Sequence, residues 1–223
     1  METSKKYKLT GESITFCNRK LYRIEALKDF ASIKKGEKGG FVESEENLSQ
    51  NGNCWVCGNA KVCGNATVCD NARVCGDAMV YGDAWVFGDA WVFGDAQVYG
   101  TANIYGNARV FENAKVYNDA NIHGNAVVCG NAKVYGNAAV YSNAEIFSDA
   151  TVISDSDYII FKNWWSSGRC FTWTRSNNMW KVGCFFGTGE ELIAKAYKDS
   201  ELSGKEYERV VKYVESILKD SEQ

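Results

Sequence analysis

From Val56 the chain is written in sixes: VCGNAK, VCGNAT, VCDNAR, VCGDAM, VYGDAW, VFGDAW, and so on to VISDSD at residues 152–157. Seventeen hexads follow one another with no residue inserted or deleted, and QNGNCW at 50–55 is a degenerate eighteenth. A strict short period is the signature of a solenoid, and it outweighs local propensity. Ala-x-Val-aromatic predicts a four-residue strand. Alternation sends Ala and Val to one side, and x with Tyr, Phe or Cys to the other. The following Gly-Asn or Gly-Asp predicts a corner, because glycine, Asn and Asp all tolerate left-handed backbone. Ala and Val suit a narrow interior, so the aromatic faces out.

This pattern resembles the hexapeptide repeat of left-handed parallel β-helices, in which an aliphatic residue is followed four positions later by a small one. The stretch GGFVESEENLSQNGNCWV and the array after it look like the YdcK-type β-solenoid proteins, many of them carried by phages and prophages. The resemblance covers roughly residues 36–157. It implies a mainly β fold, a left-handed parallel β-helix of about six triangular coils with three hexads in each. Six coils at the strand spacing make a prism roughly 29 Å long. The left hand comes from the resemblance alone, since ordinary crossovers favour the right.

In an 18-residue coil, residues 18 apart share a column. Trp55, Arg73, Trp91, Arg109, Val127 and Glu145 then stack on a first face, beside Cys57, Cys75, Phe93, Phe111, Cys129 and Phe147. A wetter second face carries Tyr81, Tyr99, Tyr117 and Tyr135; a third carries Trp85, Phe87, Tyr105, His123 and Tyr141. Trp85 and Phe87 meet Trp91 and Phe93 across the corner at Gly88-Asp89. Aromatics and Arg are enriched at the centres of interfaces. Trp55, Arg73, Trp85, Phe87, Trp91, Phe93, Arg109 and Phe111 are therefore the candidate oligomer contacts. The resemblance supplies the stoichiometry, a homotrimer; the alternative is a monomer whose ladders merely stiffen the sheet.

A stack of coils leaves an open edge at each end and needs caps. Residues 1–46 are expected to form an N-terminal β cap, with strands at KYKL and SITFCNRKLYRI, a turn at Asn18-Arg19 and KKGEKGG as a loop. Residues 47–157 form the solenoid. Residues 158–223 read as a small α+β unit: three strands (DYIIFKNWW, RCFTWTR, MWKVGCFF) and two helices opened by capping boxes at Thr188-x-x-Glu191 and Ser203-x-x-Glu206. Tyr207, Val210, Val211, Val214, Ile217 and Leu218 share one helical face. CFFGTGEEL resembles a small domain found in phage proteins. Lys162, Trp164, Trp165, Arg169, Trp173, Arg175, Trp180 and Lys181 interleave basic and aromatic groups, a combination that can stack on and neutralise a nucleotide. The plainer reading makes the tryptophans core.

Chemistry is sparse. The net charge is −3, with net +2 over residues 1–46, −6 over 47–157 and +1 over 158–223, so no basic nucleic-acid stripe stands out. No apolar run reaches membrane-spanning length and METSKKYKLT holds no signal-peptide core, which points to the cytoplasm. A reducing cytosol then predicts free thiols for the nine cysteines. Cys57, Cys63 and Cys69 fall on three different faces and cannot share a zinc ion; Cys170 and Cys184 read as core thiols. Asp77, Asp83, Asp89 and Asp95 are spread over different corners. The one histidine, His123, is of the type used as a general base in hexapeptide-repeat acyltransferases, yet it occupies an ordinary outward slot, and the array lacks the loops that build an acyl-donor site. No metal or cofactor is expected. The sequence thus points to a non-catalytic binding or scaffold protein. The phage-like resemblance suggests a host defence factor as target, met by occluding a host protein or sequestering a nucleotide-like signal. An acyltransferase and a purely structural trimer are the alternatives.

Overall fold

The computed structural model describes residues 5–220. Two long strands, β1 (Tyr7–Phe16) and β2 (Arg19–Ala26), form an antiparallel hairpin, and β3 (Lys38–Val42) pairs antiparallel with β2. KYKL and SITF are thus one strand, with an irregularity between Leu9 and Ser13. The turn sits at Cys17-Asn18, one residue earlier than expected; both have positive φ (48° and 59°), which suits a tight two-residue hairpin. The KGG segment is strand rather than loop. β3 passes so close over the first coil that a Cβ on Gly40 would lie 2.6 Å from the Ala60 carbonyl oxygen, so only glycine fits.

Among the described residues, seventeen two-residue strands follow at six-residue intervals, β4 (Trp55–Val56) to β20 (Thr151–Val152). All but the last three pair in parallel with the strand 18 residues on: Trp55 with Arg73, Lys61 with Met79, Thr67 with Trp85. The result is a parallel solenoid of three sheets in about six turns. The strands are shorter than expected because the chain bends at every hexad. The flanking residues still bond: Lys61 N–H donates to Ala78 O at 2.9 Å and Cys63 N–H to Val80 O at 3.1 Å. Every Ala and Val or Ile of the inner columns is buried, from Ala60 and Val62 to Ala150 and Val152.

The corners differ from expectation in one respect. Only the first corner residue adopts positive φ, as Gly88 does at 66°; the Asn or Asp after it does not. That second residue serves a vertical ladder instead. Asn53 Nδ2 donates to Asn71 Oδ1 (3.1 Å) and Asn71 Nδ2 to Asp89 Oδ1 (3.0 Å). At two of the corners whose first residue is not glycine, a carboxylate offsets the backbone cost. Asp70 and Glu112, at φ 56° and 57°, accept the N–H of Gly88 (3.0 Å) and Gly130 (2.7 Å) in the next coil.

The tail holds four strands, not three: β21 (Tyr158–Lys162), β22 (Cys170–Thr174), β23 (Met179–Val182) and β24 (Phe185–Gly187), an antiparallel sheet in that order. MWKVGCFF folds back on itself at Gly183-Cys184, where Gly183 has φ 55°. Cys184 is consequently exposed, not a core thiol, and Cys170 is half-buried. Helix α1 (Gly189–Asp199) starts at the expected Thr188/Glu191 capping box. Helix α2 spans Glu201–Asp220; Ser200, not Ser203, accepts the N–H of Ser203 at 3.1 Å, and Ser203 is buried inside the helix. The sheet lies between the last coil and the helices. Ile159, Phe161, Phe171, Trp173 and Trp180 pack with Leu192, Tyr207, Val211 and Val214, while Tyr158 and Ile160 join the solenoid core.

Cys57 and Cys75 form a disulfide, contrary to the expectation of free thiols. They occupy one column in successive coils with Cα atoms 4.6 Å apart, within disulfide reach. No helix of the described residues is long and apolar enough to cross a membrane.

Candidate functional site

The first face is closed at both ends and open in the middle. At the upper end Trp55 is 0% exposed, packed edge-on against Tyr7 and Phe30 at ring distances of 6.3 and 5.4 Å. It is therefore a core residue, not an oligomer contact. The register turned it outward as expected, and the cap then covered it. Ser32, from the same cap loop, accepts from Arg73 Nη2 at 3.2 Å. At the lower end Val127 and Cys129 are buried. Phe147 lies 5.1 Å from Phe186, with Lys181 Nζ 4.9 Å from its ring.

What remains is a window around Trp91, Phe93, Arg109 and Phe111. Trp91 is 46% exposed, with the Arg73 guanidinium 5.8 Å from its ring centre. Phe93 meets Trp91 edge-on at 6.4 Å and stacks on Phe111 at 4.7 Å. Arg109 is exposed. A shallow groove of about 280 Å³ runs between Trp91, Phe93, Arg109, Asp89 and Asn107. Across the corner, Trp85 is 50% exposed and meets Phe87 edge-on at 6.4 Å. The repeated phrase AWVFGD thus places the same tryptophan–phenylalanine pair at one height on two adjoining faces. Asp89 and Asn107, missed as site residues, stand in one corner column 18 apart, a signal the period contained.

Behind Trp85 the third face is a ladder of rings. Phe87, Tyr105, His123 and Tyr141 stack at 4.9, 4.9 and 5.5 Å. His123 is held between two rings, and among the described residues no carboxylate is hydrogen-bonded to it. Cys57, Cys63 and Cys69 stand on three different sheets.

The tail candidates divide. Trp173 and Trp180 are buried core residues, the former donating Nε1–H to Asn178 Oδ1 at 2.9 Å. Trp164 is 72% exposed. It stands edge-on to Trp165 at 6.0 Å, and Trp165 stands edge-on to Tyr207 at 4.9 Å. Asn163 orders this loop, donating to Tyr207 Oη (2.9 Å) and accepting from Ser166 N–H (2.9 Å). Lys162, Trp164, Trp165 and Arg169 gather at this end of the sheet, Lys162 opposite Cys170. Arg175 lies in the turn at the other end of β22. Lys181 turns toward the solenoid, 3.7 Å from Glu145. The basic groups therefore do not share one face.

The fold defines a class: a parallel β-solenoid with an N-terminal β-sheet extension and a C-terminal sheet-and-helix unit. Residues 72–88 match the family described as YdcK beta solenoid repeat. No curated protein matches the chain.

Proposed function

We propose that this protein is a non-catalytic binding scaffold that self-associates as a homotrimer through the Trp85–Trp91 window. The observation that carries this reading is the position of the two exposed tryptophans, at one height on adjoining faces, in the stretch that cap and tail leave uncovered. Solvent-exposed indole rings beside Phe and Arg are the composition of an interface centre. Rotation about an axis parallel to the prism brings the Trp91 face of one copy against the Trp85 face of the next, a heterologous contact that closes as a ring. In this reading the loop around Trp164 and Arg169 stays free for a second partner. The resemblance to phage-borne solenoids supports a phage or prophage origin and a host defence protein as that partner, acting by occlusion or by holding a nucleotide-like signal.

Light scattering after size exclusion tests the assembly. The wild type should elute with three times the chain mass, and a Trp91→Asp, Phe93→Asp double variant as one chain with its solenoid spectrum intact. A monomeric wild type, or a trimer indifferent to both changes, would sink the proposal.

A further inference from the structure

On the second face four tyrosines form a continuous stack. Tyr81, Tyr99, Tyr117 and Tyr135 lie 4.9, 4.9 and 4.7 Å apart, with ring planes within 9° of parallel. One coil above Tyr81 the same column holds Cys63, whose short side chain cannot continue the stack. The hairpin turn after Phe16 roofs this position. Between roof and ladder lies an open cavity of about 340 Å³, lined by Phe16, Cys17, Arg19, Cys63, Tyr81 and Asp83, among others. That volume is at the lower end of the range for small-molecule sites, about 300–1,000 Å³.

The polar groups of the cavity sit at its rim. Asp83 Oδ1 accepts from Asn65 Nδ2 at 2.7 Å, and no hydrogen bond reaches its Oδ2 among the described residues. Arg19 binds Glu43 through Nη1 alone, at 2.9 Å to both oxygens. This leaves N–H groups of the guanidinium available. Glu43 also accepts the Gly64 N–H at 2.7 Å, which fixes Arg19 at the mouth. A carboxylate acceptor and a guanidinium donor therefore line a cavity that reaches Tyr81, whose other neighbour in the stack is Tyr99.

We propose that this cavity binds a planar heteroaromatic ligand of nucleobase size, which stacks on Tyr81 as the missing ring of the ladder. A ring N–H or exocyclic amine of the ligand donates to Asp83, and a ring nitrogen or carbonyl accepts from Arg19. Base–aromatic stacking tolerates many ring systems, so the rim groups supply the selectivity. The site lies on the second face, away from the Trp85–Trp91 window, and does not depend on the oligomeric state.

The probe is 2-aminopurine riboside, whose fluorescence is quenched on stacking and can be excited apart from protein tryptophan. Titration with the full-length protein should give saturable quenching. Tyr81→Leu should weaken binding by roughly tenfold or more, whereas Tyr135→Ala, at the far end of the ladder, should leave it unchanged. Should Tyr81→Leu fail to fold, the rim variant Asp83→Ala takes its place and should also weaken binding. Absence of saturation with the wild type at about 1 mM probe, or equal affinity in a folded Tyr81→Leu or Asp83→Ala variant, would overturn the proposal.

Discussion

Ala90 shows how little room the interior leaves. It is fully buried two residues before the buried Val92, with coils directly above and below. Ala90→Leu should overpack the prism and cost about 1–3 kcal/mol, read as a lower thermal midpoint; an unchanged midpoint would contradict the inward placement. The Cys57–Cys75 bridge closes a separation of 18 residues. In the chain-entropy account such a loop stabilises by about 3 kcal/mol, so a Cys57→Ala, Cys75→Ala variant should melt well below the wild type. Identical melting would mean that the bridge contributes nothing. Direction was legible at this scale, since the six-residue period sorts inward Ala and Val from outward Trp and Phe. Cover was not legible. Trp55 and Trp91 occupy the same column, yet one is sealed under Phe30 and the other exposed. What lies over an outward side chain depends on segments with no repeat.

At the scale of elements, the two ends of the solenoid pose opposite problems. Ladder bonds from the outward and ring-bearing residues run forward, from the N–H of one coil to the C=O of the next. Along these bonds the first coil keeps spare acceptors and the last keeps spare donors. The first end supplies donors: Lys6 Nζ, in a side chain only 1% exposed, reaches Cys54 O at 2.9 Å, and Asn47 Nδ2 reaches Ala66 O at 2.9 Å. The last end supplies acceptors. Asp155 takes Ala139 N–H (2.7 Å), Thr172 takes Glu145 N–H (3.0 Å) and Ser176 takes Thr151 N–H (2.7 Å). Asp157 Oδ2 takes the N–H of Ile153 (2.8 Å) and Ser154 (2.9 Å). Asp157→Ala should cost about 1–2 kcal/mol in denaturant unfolding; no loss would mean that the edge is satisfied otherwise.

Tyr158 completes the same cap by donating to Ala139 O at 2.8 Å, and burial pushes its pKa up to about 12. An unfolded tyrosine ionises near 10. The stability it contributes is therefore complete below about pH 10 and is lost as pH rises toward 12. Denaturant unfolding from pH 8 to 12 should show a steeper alkaline decline in the wild type than in Tyr158→Phe. Parallel profiles would rule out this role. None of these caps was legible, because a lone Asp or Lys acquires its role only when the sheet edge it meets is known. The α1 capping box was legible because it is local. The split of MWKVGCFF was not, since a Gly-Cys turn carries a weaker signal than the Asn-Gly or Asp-Gly pairs that mark hairpins.

For the whole molecule, the cap loop and the tail sheet together decide which part of a uniform prism is free to make contacts. Both descend onto the first face, one over Trp55 and the other over Phe147, and leave the coil that carries Trp85 and Trp91. The self-association proposed above would use that coil, whose two tryptophans stand exposed at one height on adjoining faces. The most direct measurement is photocrosslinking with benzoylphenylalanine at position 91, followed by peptide mapping. Covalent dimers and trimers linked from position 91 to the segment around Trp85 and Phe87 of another copy are expected. Links confined to the chain's own residues, or intermolecular links at the prism ends, would contradict self-association through this coil.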